Sequence, residues 1–388
     1  MKGCWSTLLF IALALFSCDN YDDISTSQSD SFVKNYTVNQ NNAGTGVCKL
    51  SDGGYALLGN TESVARGTDI CLMITDEFGN SIQRAKIIGT AKNDRGYCIK
   101  QAPDGGFIIL GSRQDEANDD LDAYLIRTDR LGDTLWTRSF DEQNKADEGL
   151  WFDTDDNGNI MMVGYTTNTI QQAWHFLVDQ HGDTVNSYES KELGTIPVNE
   201  ARYVKRFNDG WLVAGTLDNI PLWLITNDYR FEINYVSDRY ANEKANSVTL
   251  LDDNTYLVCG TVSDGTGGSD VLLIKIKKVI SDKIQYERVW PRSFSNPGND
   301  RGTCILTQDN QIHILSTLSN GDKSSIISII TTDLDGENPQ YKSFGGSSLM
   351  KSSNFEFTED GGFIISGTNE RNFKSSLMMI KTKTGGDL

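Results

Sequence analysis

Along this chain of 388 residues one short pattern recurs seven times: a turn built from Asp, Asn and Gly, then an apolar run that stops at a small residue. It reads Asp52-Gly-Gly-Tyr-Ala-Leu-Leu-Gly59, Asp104-Gly-Gly-Phe-Ile-Ile-Leu-Gly111, Asn157-Gly-Asn-Ile-Met-Met-Val-Gly164 and Asn208-Asp-Gly-Trp-Leu-Val-Ala-Gly215 in the first four units. Asp253-Asn-Thr-Tyr-Leu-Val-Cys-Gly260, Asp309-Asn-Gln-Ile-His-Ile-Leu-Ser316 and Asp360-Gly-Gly-Phe-Ile-Ile-Ser-Gly367 complete the series. From one closing small residue to the next the spacings are 52, 53, 51, 45, 56 and 51. A period of this length marks a unit that cannot bury its own apolar face and must stack on its neighbours. Length alone suggests roughly two or three domains; the repeat predicts one.

Each unit holds sequence for four short strands. A small residue opens the first, at Gly44, Gly96, Gly149, Ala201, Ala245, Gly302 and Ser352. The Asp-Gly-Gly element supplies positive φ for a tight hairpin into the second. A third strand follows a variable loop and ends in a Thr-Asp-x-x-Gly turn, as at 75–79, 128–132 and 332–336. A fourth, more polar strand covers 136–140, 286–294 or 341–344. With no amphipathic helical stretch, this predicts an all-β fold: a seven-bladed β-propeller with four antiparallel strands per blade. The seventh unit has a third strand at 376–381 and no fourth, while 32–38, ahead of the first unit, has that strand's character. The last blade is therefore expected to be closed by the N-terminal strand, which leaves no open edge. The propeller domain is placed at 32–388.

These Asp-Gly-Gly-aromatic repeats resemble those of secreted bacterial propellers frequent among Bacteroidota surface lipoproteins. The resemblance covers essentially the whole mature chain, but its motifs are turn and strand chemistry, which specify a fold and say little about a ligand. The Thr-Asp-x-x-Gly turns are similar to sialidase Asp-boxes in position but not in spacing, so no sialidase chemistry is carried over.

Ahead of the propeller, Lys2, the apolar run 5–16 and Leu15-Phe16-Ser17-Cys18 resemble a bacterial lipoprotein signal peptide and its lipobox. The resemblance implies removal of residues 1–17 and lipidation of Cys18, with 18–31 a flexible acidic and Ser-rich tether. Asp19-Asn20-Tyr21-Asp22-Asp23 looks like the surface-export signal of Bacteroidota lipoproteins. It implies a lipid-anchored outer-membrane protein exposed at the cell surface, a plain solvated linker and a periplasmic orientation being the alternatives.

The chain carries 35 Lys+Arg against 53 Asp+Glu, a net charge of −18. Polyphosphate binding needs a basic stripe, so nucleic acid is excluded as a general partner. Histidine is scarce, with His175 in a strand run and His181 in a hairpin turn of the third unit and His313 in a strand run of the sixth, against a zinc site or a Ser-His-Asp triad. Asp153-Thr-Asp155-Asp-Asn157-Gly158 has the opening spacing of a Ca²⁺ loop, but the later ligand positions are Met161 and Gly164 and the stretch doubles as a hairpin turn. Ca²⁺ is thus a weak option and no cofactor is expected. Cys48, Cys71, Cys98, Cys259 and Cys304, an odd number within strands, read as buried free thiols.

One constellation is left. Just before the small residue that opens each first strand stand Ala43, Arg95, Glu148, Glu200, Lys244, Arg301 and Lys351. Equivalent positions of a closed ring converge on its axis, so these charges are expected either to rim a binding funnel at one channel mouth or to satisfy one another as a salt-bridge ring, with Asp94, Asp147, Glu243 and Asp300 as further neutralising neighbours. The favoured function is a non-enzymatic binding or scaffold module that docks onto an outer-membrane protein complex, such as a β-barrel protein, or onto an extracellular polymer. The alternative is a carbohydrate-active enzyme with Glu148 and Glu200 as paired carboxylates.

Overall fold

The computed structural model describes residues 30–388 except 65–66, 117–118, 142–144, 168–170, 190–199, 208–209, 218–219, 226–230, 233–242, 264, 266, 281–283 and 321–322. Cys18, the expected signal peptide and most of the expected tether lie outside the described residues.

Seven four-stranded antiparallel sheets are present, the blades of a β-propeller. Blades 1 to 7 begin at the innermost strands Asn41–Lys49, Asp94–Gln101, Ala146–Thr154, Glu200–Phe207, Lys244–Asp252, Arg301–Gln308 and Leu349–Phe357. In blades 1 to 6 the chain runs from the inner strand outward in sequence order. Blade 7 departs from this, for its outer strand is Phe32–Tyr36, paired with Lys374–Lys381 in the register Phe32↔Lys381 to Tyr36↔Leu377. The closure expected from the unit lacking a fourth strand is the observed one.

The second and third strands read as unbroken apolar runs because both faces of each blade are covered. Blades 2 and 3 share one core, with Leu110, Leu125 and Phe140 against Phe152, Met162 and Trp174. Another joins blade 7 to blade 1, where Ile364, Leu377 and Met379 meet Val47, Leu57 and Met73. Every junction between neighbouring blades carries such a cluster among the described residues. Stability is therefore distributed around the ring.

Hairpin turns follow the sequence chemistry. Gly53, Gly105 and Gly361 take φ of 94°, 85° and 75° in the first turns of their blades. The second glycine of the motif has a different role: a Cβ at Gly54, Gly106 or Gly362 would overlap the carbonyl oxygen of Thr75, Thr128 or Thr382. On the same face, each Thr-Asp turn is closed by its aspartate. Asp129 Oδ1 accepts the backbone N–H groups of Leu131 and Asp133, both at 2.9 Å, and Asp333 Oδ1 those of Asp335 and Glu337 at 3.0 and 2.9 Å. Backbone donation, that of Glu337 first, holds the Asp333 carboxyl below its usual pKa.

The inner strands contain a feature that the repeat motif conceals. In all seven blades the register slips by one residue directly after the opening small residue, between Gly44 and Gly46, Gly96 and Cys98, Gly149 and Trp151, Ala201 and Tyr203, Ala245 and Ser247, Gly302 and Cys304, and Ser352 and Asn354. This is a β-bulge, which re-aims one side chain and sharpens the local twist. It also accounts for the small residue that ends the apolar run, within the second strand: a Cβ at Gly111, Gly164 or Gly260 would overlap the carbonyl oxygen of Arg95, Glu148 or Lys244.

Candidate functional site

The seven bulged residues are Thr45, Tyr97, Leu150, Arg202, Asn246, Thr303 and Ser353, and all seven line one cavity of about 230 Å³. Because every blade contributes, the cavity lies on the propeller axis. It sits at the start of the inner strands, on the face that carries the connections between second and third strands. Trp151 and Tyr203 line it as well, stacked with ring centroids 4.6 Å apart and planes 26° from parallel. Further along the inner strands, Lys100 Nζ meets Asp153 Oδ1 at 2.5 Å and the Lys49 backbone N–H donates to Glu356 Oε2 at 3.0 Å.

Of the six charged positions expected at the rim, Arg301 lines the cavity. Arg95, Lys244 and Lys351 are exposed and are not among the lining residues. Glu148 accepts hydrogen bonds from two tyrosines, Tyr97 Oη to Oε2 and Tyr165 Oη to Oε1, both at 2.6 Å. Burial first, then the Glu148 carboxylate, raises the pKa of both phenols. Glu200, 4% exposed, is held in a fork by Arg202, with Nε–Oε1 at 2.7 Å and Nη2–Oε2 at 2.8 Å. The expectation that the preceding acids neutralise the rim cations is corrected for Asp94 and Asp300, which tie down their own loops. Asp94 Oδ2 accepts from Thr90 N at 2.6 Å and Thr90 Oγ1 at 2.9 Å, and Asp300 accepts from the backbone N–H groups of Asn296 and Ser319. Glu243 pairs with Arg288 at 2.8 Å.

All four rim cations are exposed, and Arg301 differs from Arg95, Lys244 and Lys351 in its place on the cavity wall. Among the described residues its guanidinium has neither an ion-pair nor a hydrogen-bond partner. Its pKa is lowered, first by desolvation and next by the like charge of Arg202, with Glu200 pulling the other way. Thr45 Oγ1 is buried and has no hydrogen-bond partner among the described residues either.

Sequence reasoning placed the axial residues one position before the small residue, whereas the bulge puts them one position after it. A signal for this exists. In every unit a deeply buried apolar residue stands three positions after the small one, as in Gly44 and Val47, Gly96 and Ile99 or Gly149 and Phe152. On an unbroken strand such residues point to opposite faces; sharing one face requires an inserted residue.

Elsewhere, chemistry-bearing side chains have structural roles. In the candidate Ca²⁺ loop, Asp153 is taken by Lys100 and by the Arg206 backbone N–H at 2.7 Å, while Asp155 closes its own turn through Asn157 N and Asn159 N at 2.9 and 2.8 Å. Their oxygens do not converge on one point. The five cysteines are buried and unbonded to one another. His313 packs edge-on against Phe357 and Phe363, and its Nδ1 lies 2.9 Å from Thr331 Oγ1.

No protein-family model matches the chain, and no curated protein does. Solved structures similar to it include a protein of unknown function from Bacteroides caccae at 12% identity and a TM-score of 0.45, covering 74% of this chain and 93% of that one. A second is the β-propeller domain of the Trilobed protease from Pyrococcus furiosus, which has an open velcro topology, at 10% identity and TM-score 0.48 over 87% and 95% of the two chains. A third, an ancestral GH74 enzyme, reaches TM-score 0.52 at 10% identity and covers 88% of this chain but 47% of its own. At such identities the likeness extends to the β-propeller fold alone.

Proposed function

We propose that this chain is a non-enzymatic binding module of the Bacteroidota surface-lipoprotein kind, anchored in the outer membrane through Cys18 and docking a partner on its funnel-bearing face. The observation that carries the reading is the division of roles between the two faces. The outer strand of blade 7 starts at Phe32, opposite Lys381 at the far end of its neighbour, so the chain enters the propeller from the face of the hairpin turns. The funnel and the connections between second and third strands belong to the other face. A molecule held by lipid at Cys18 then presents its funnel away from the anchor. The 14-residue tether 18–31 spans at most roughly 50 Å, enough for a disc also to lean on a neighbouring β-barrel protein. Short loops on a rigid ring suit contact with a protein complex or an extracellular polymer.

The carboxylates of the site support binding over hydrolysis. Glycosidase chemistry needs one carboxyl to deliver a proton and a second to act as base or nucleophile. Glu200 is locked onto Arg202 and Glu148 is held by two phenols, so neither has an oxygen free for substrate without rearrangement. The test is a mild-detergent pull-down of the full-length lipoprotein from outer membranes. A stable partner, lost on substitution in 60–69, 112–122 or 261–270, supports docking; a partner-free protein that cleaves a glycan and loses this activity in Glu148→Gln or Glu200→Gln establishes the enzyme instead.

A further inference from the structure

We infer that the axial funnel is a receptor for a carboxylate group, gripped by Arg301 with Arg202 beside it, and that this group is what the module recognises on its target; the inference rests on the binding reading above. Arg202 reaches the cavity on the bulge of blade 4 and Arg301 from the first position of the blade 6 inner strand, and both line the same space of about 230 Å³. Glu200 occupies Nε and Nη2 of Arg202, leaving its remaining donors, whereas Arg301 offers its whole fork. Arg301 is exposed at the mouth of the cavity and has no counterion, and a second guanidinium faces the same space; an anion relieves that like-charge repulsion. The depressed pKa of Arg301, set by desolvation and then by Arg202, is the same imbalance seen from the proton's side.

The arrangement also selects the kind of anion. Arg202, Arg301 and Glu200 sum to +1, which matches a monoanion better than a phosphate dianion. A planar carboxylate accepts two parallel N–H groups from a guanidinium. Glu148, the other acid close to Tyr97, has each oxygen capped by a phenol and so offers the incoming anion a weakened repulsion. Thr45 Oγ1 supplies a buried hydroxyl without a partner. The stacked Trp151 and Tyr203 give an apolar wall. Ligand pockets for drug-sized molecules are about 300–1,000 Å³, so a cavity of 230 Å³ admits an acidic side chain or a single uronic acid ring rather than a polymer segment.

Two sources of carboxylate are separable by calorimetry on the detergent-solubilised full-length protein, titrated with glucuronate, with a tetraglutamate peptide, and with glucose and inorganic phosphate as controls. At least one carboxylate probe is expected to bind at least tenfold more tightly than glucose or phosphate. Binding of glucuronate alone assigns a sugar acid, binding of the peptide alone an acidic protein segment, and either supports the site. Arg301→Gln is expected to weaken that probe at least tenfold and Arg301→Lys by less, with Lys86→Gln, an equal charge change on an outer strand, within twofold of wild type. Thermal melting of Arg301→Gln guards against misfolding: removal of an exposed, unpaired cation that faces a second guanidinium leaves the melting temperature at or above that of wild type, and a marked drop shows an internal partner and overturns the inference. Failure of both carboxylate probes at millimolar concentration, equal binding of glucose or phosphate, or an unaltered affinity in Arg301→Gln overturns it too. If Arg301→Gln recovers the same membrane partner as wild type, target recognition through a carboxylate is wrong while docking stands; if wild type recovers no partner yet glucuronate binds, docking is wrong while the receptor site stands.

Discussion

His175 and His313 lie inside strands of different blades, 0% and 8% exposed, and burial lowers the pKa of each to about 4. An unfolded imidazole titrates near 6.5, so between pH 4 and 6.5 the unfolded chain binds more protons and stability falls as the pH drops through that window. Shifts of this size correspond to about 3 kcal/mol for each buried imidazole. Asp122 works in the opposite sense. Burial first, then Asp141 and Asp115, raises its carboxyl to about 6. There the native state holds the extra proton, so stability declines as the pH rises from about 4 to 6, by about 3 kcal/mol at most. The two histidines outweigh it, and the urea midpoint is expected to fall between pH 6.5 and 4.5. Asp122→Asn should raise the midpoint at pH 7 and steepen the acid loss, while the double variant His175→Gln, His313→Gln should flatten it. An unchanged acid slope in that double variant would show that other groups dominate. None of these burial effects is legible in the sequence beyond the apolar character of the strands around each residue. The funnel residues were less legible still, because whether Arg301 or Arg202 faces the axis depends on one inserted residue per strand.

At the scale of the strand, the motif was readable where chemistry is local and unreadable where it depends on a neighbour. Asp-Gly-Gly announces a turn, and Gly53 at φ 94° bears that out. The closing glycine looks like mere punctuation until the bulge brings the Arg95 carbonyl against Gly111. Gly111→Ala is accordingly expected to destabilise by about 1–3 kcal/mol, the usual consequence of overpacking, and to do so through the backbone of blade 2. Gly385→Ala makes a fair control, since a Cβ there meets nothing and its strain comes from a φ of 77° alone. Denaturant midpoints that fall equally for both would leave the bulge without energetic weight. The N-terminal strand offers a larger test. Deleting 19–30 removes tether and should leave the melting temperature unchanged. Deleting 19–36 removes the partner of Lys374–Lys381 and strips Phe32 and Tyr36 from the core between blades 7 and 1. That variant should melt well below wild type and aggregate through the bared edge; equal melting of the two truncations would contradict closure by this strand.

Over the whole molecule, repetition made the fold legible and concealed the site. Seven units of similar length require stacking, and stacking of twisted four-stranded sheets closes a ring. The cavity, by contrast, gathers Thr45, Tyr97, Arg202, Arg301 and Asn354, residues spread over most of the chain that share no motif of function. What the ring does add is polarity between faces, and this can be tested with thiols because the five cysteines of the propeller are buried. Phe373, at the tip of the turn between the second and third strands of blade 7, is 94% exposed on the funnel face, and Leu131, in the Asp129 turn, is 48% exposed on the face where the chain enters. On the proposed anchoring through Cys18 the entry face is drawn toward the membrane, so Phe373→Cys in intact cells should react with a bulky, membrane-impermeant maleimide several times faster than Leu131→Cys. Purified protein in detergent should remove the difference. Equal rates on cells would mean that the tether lets the propeller turn freely, and labelling of both only after the outer membrane is opened would place the protein on the periplasmic side.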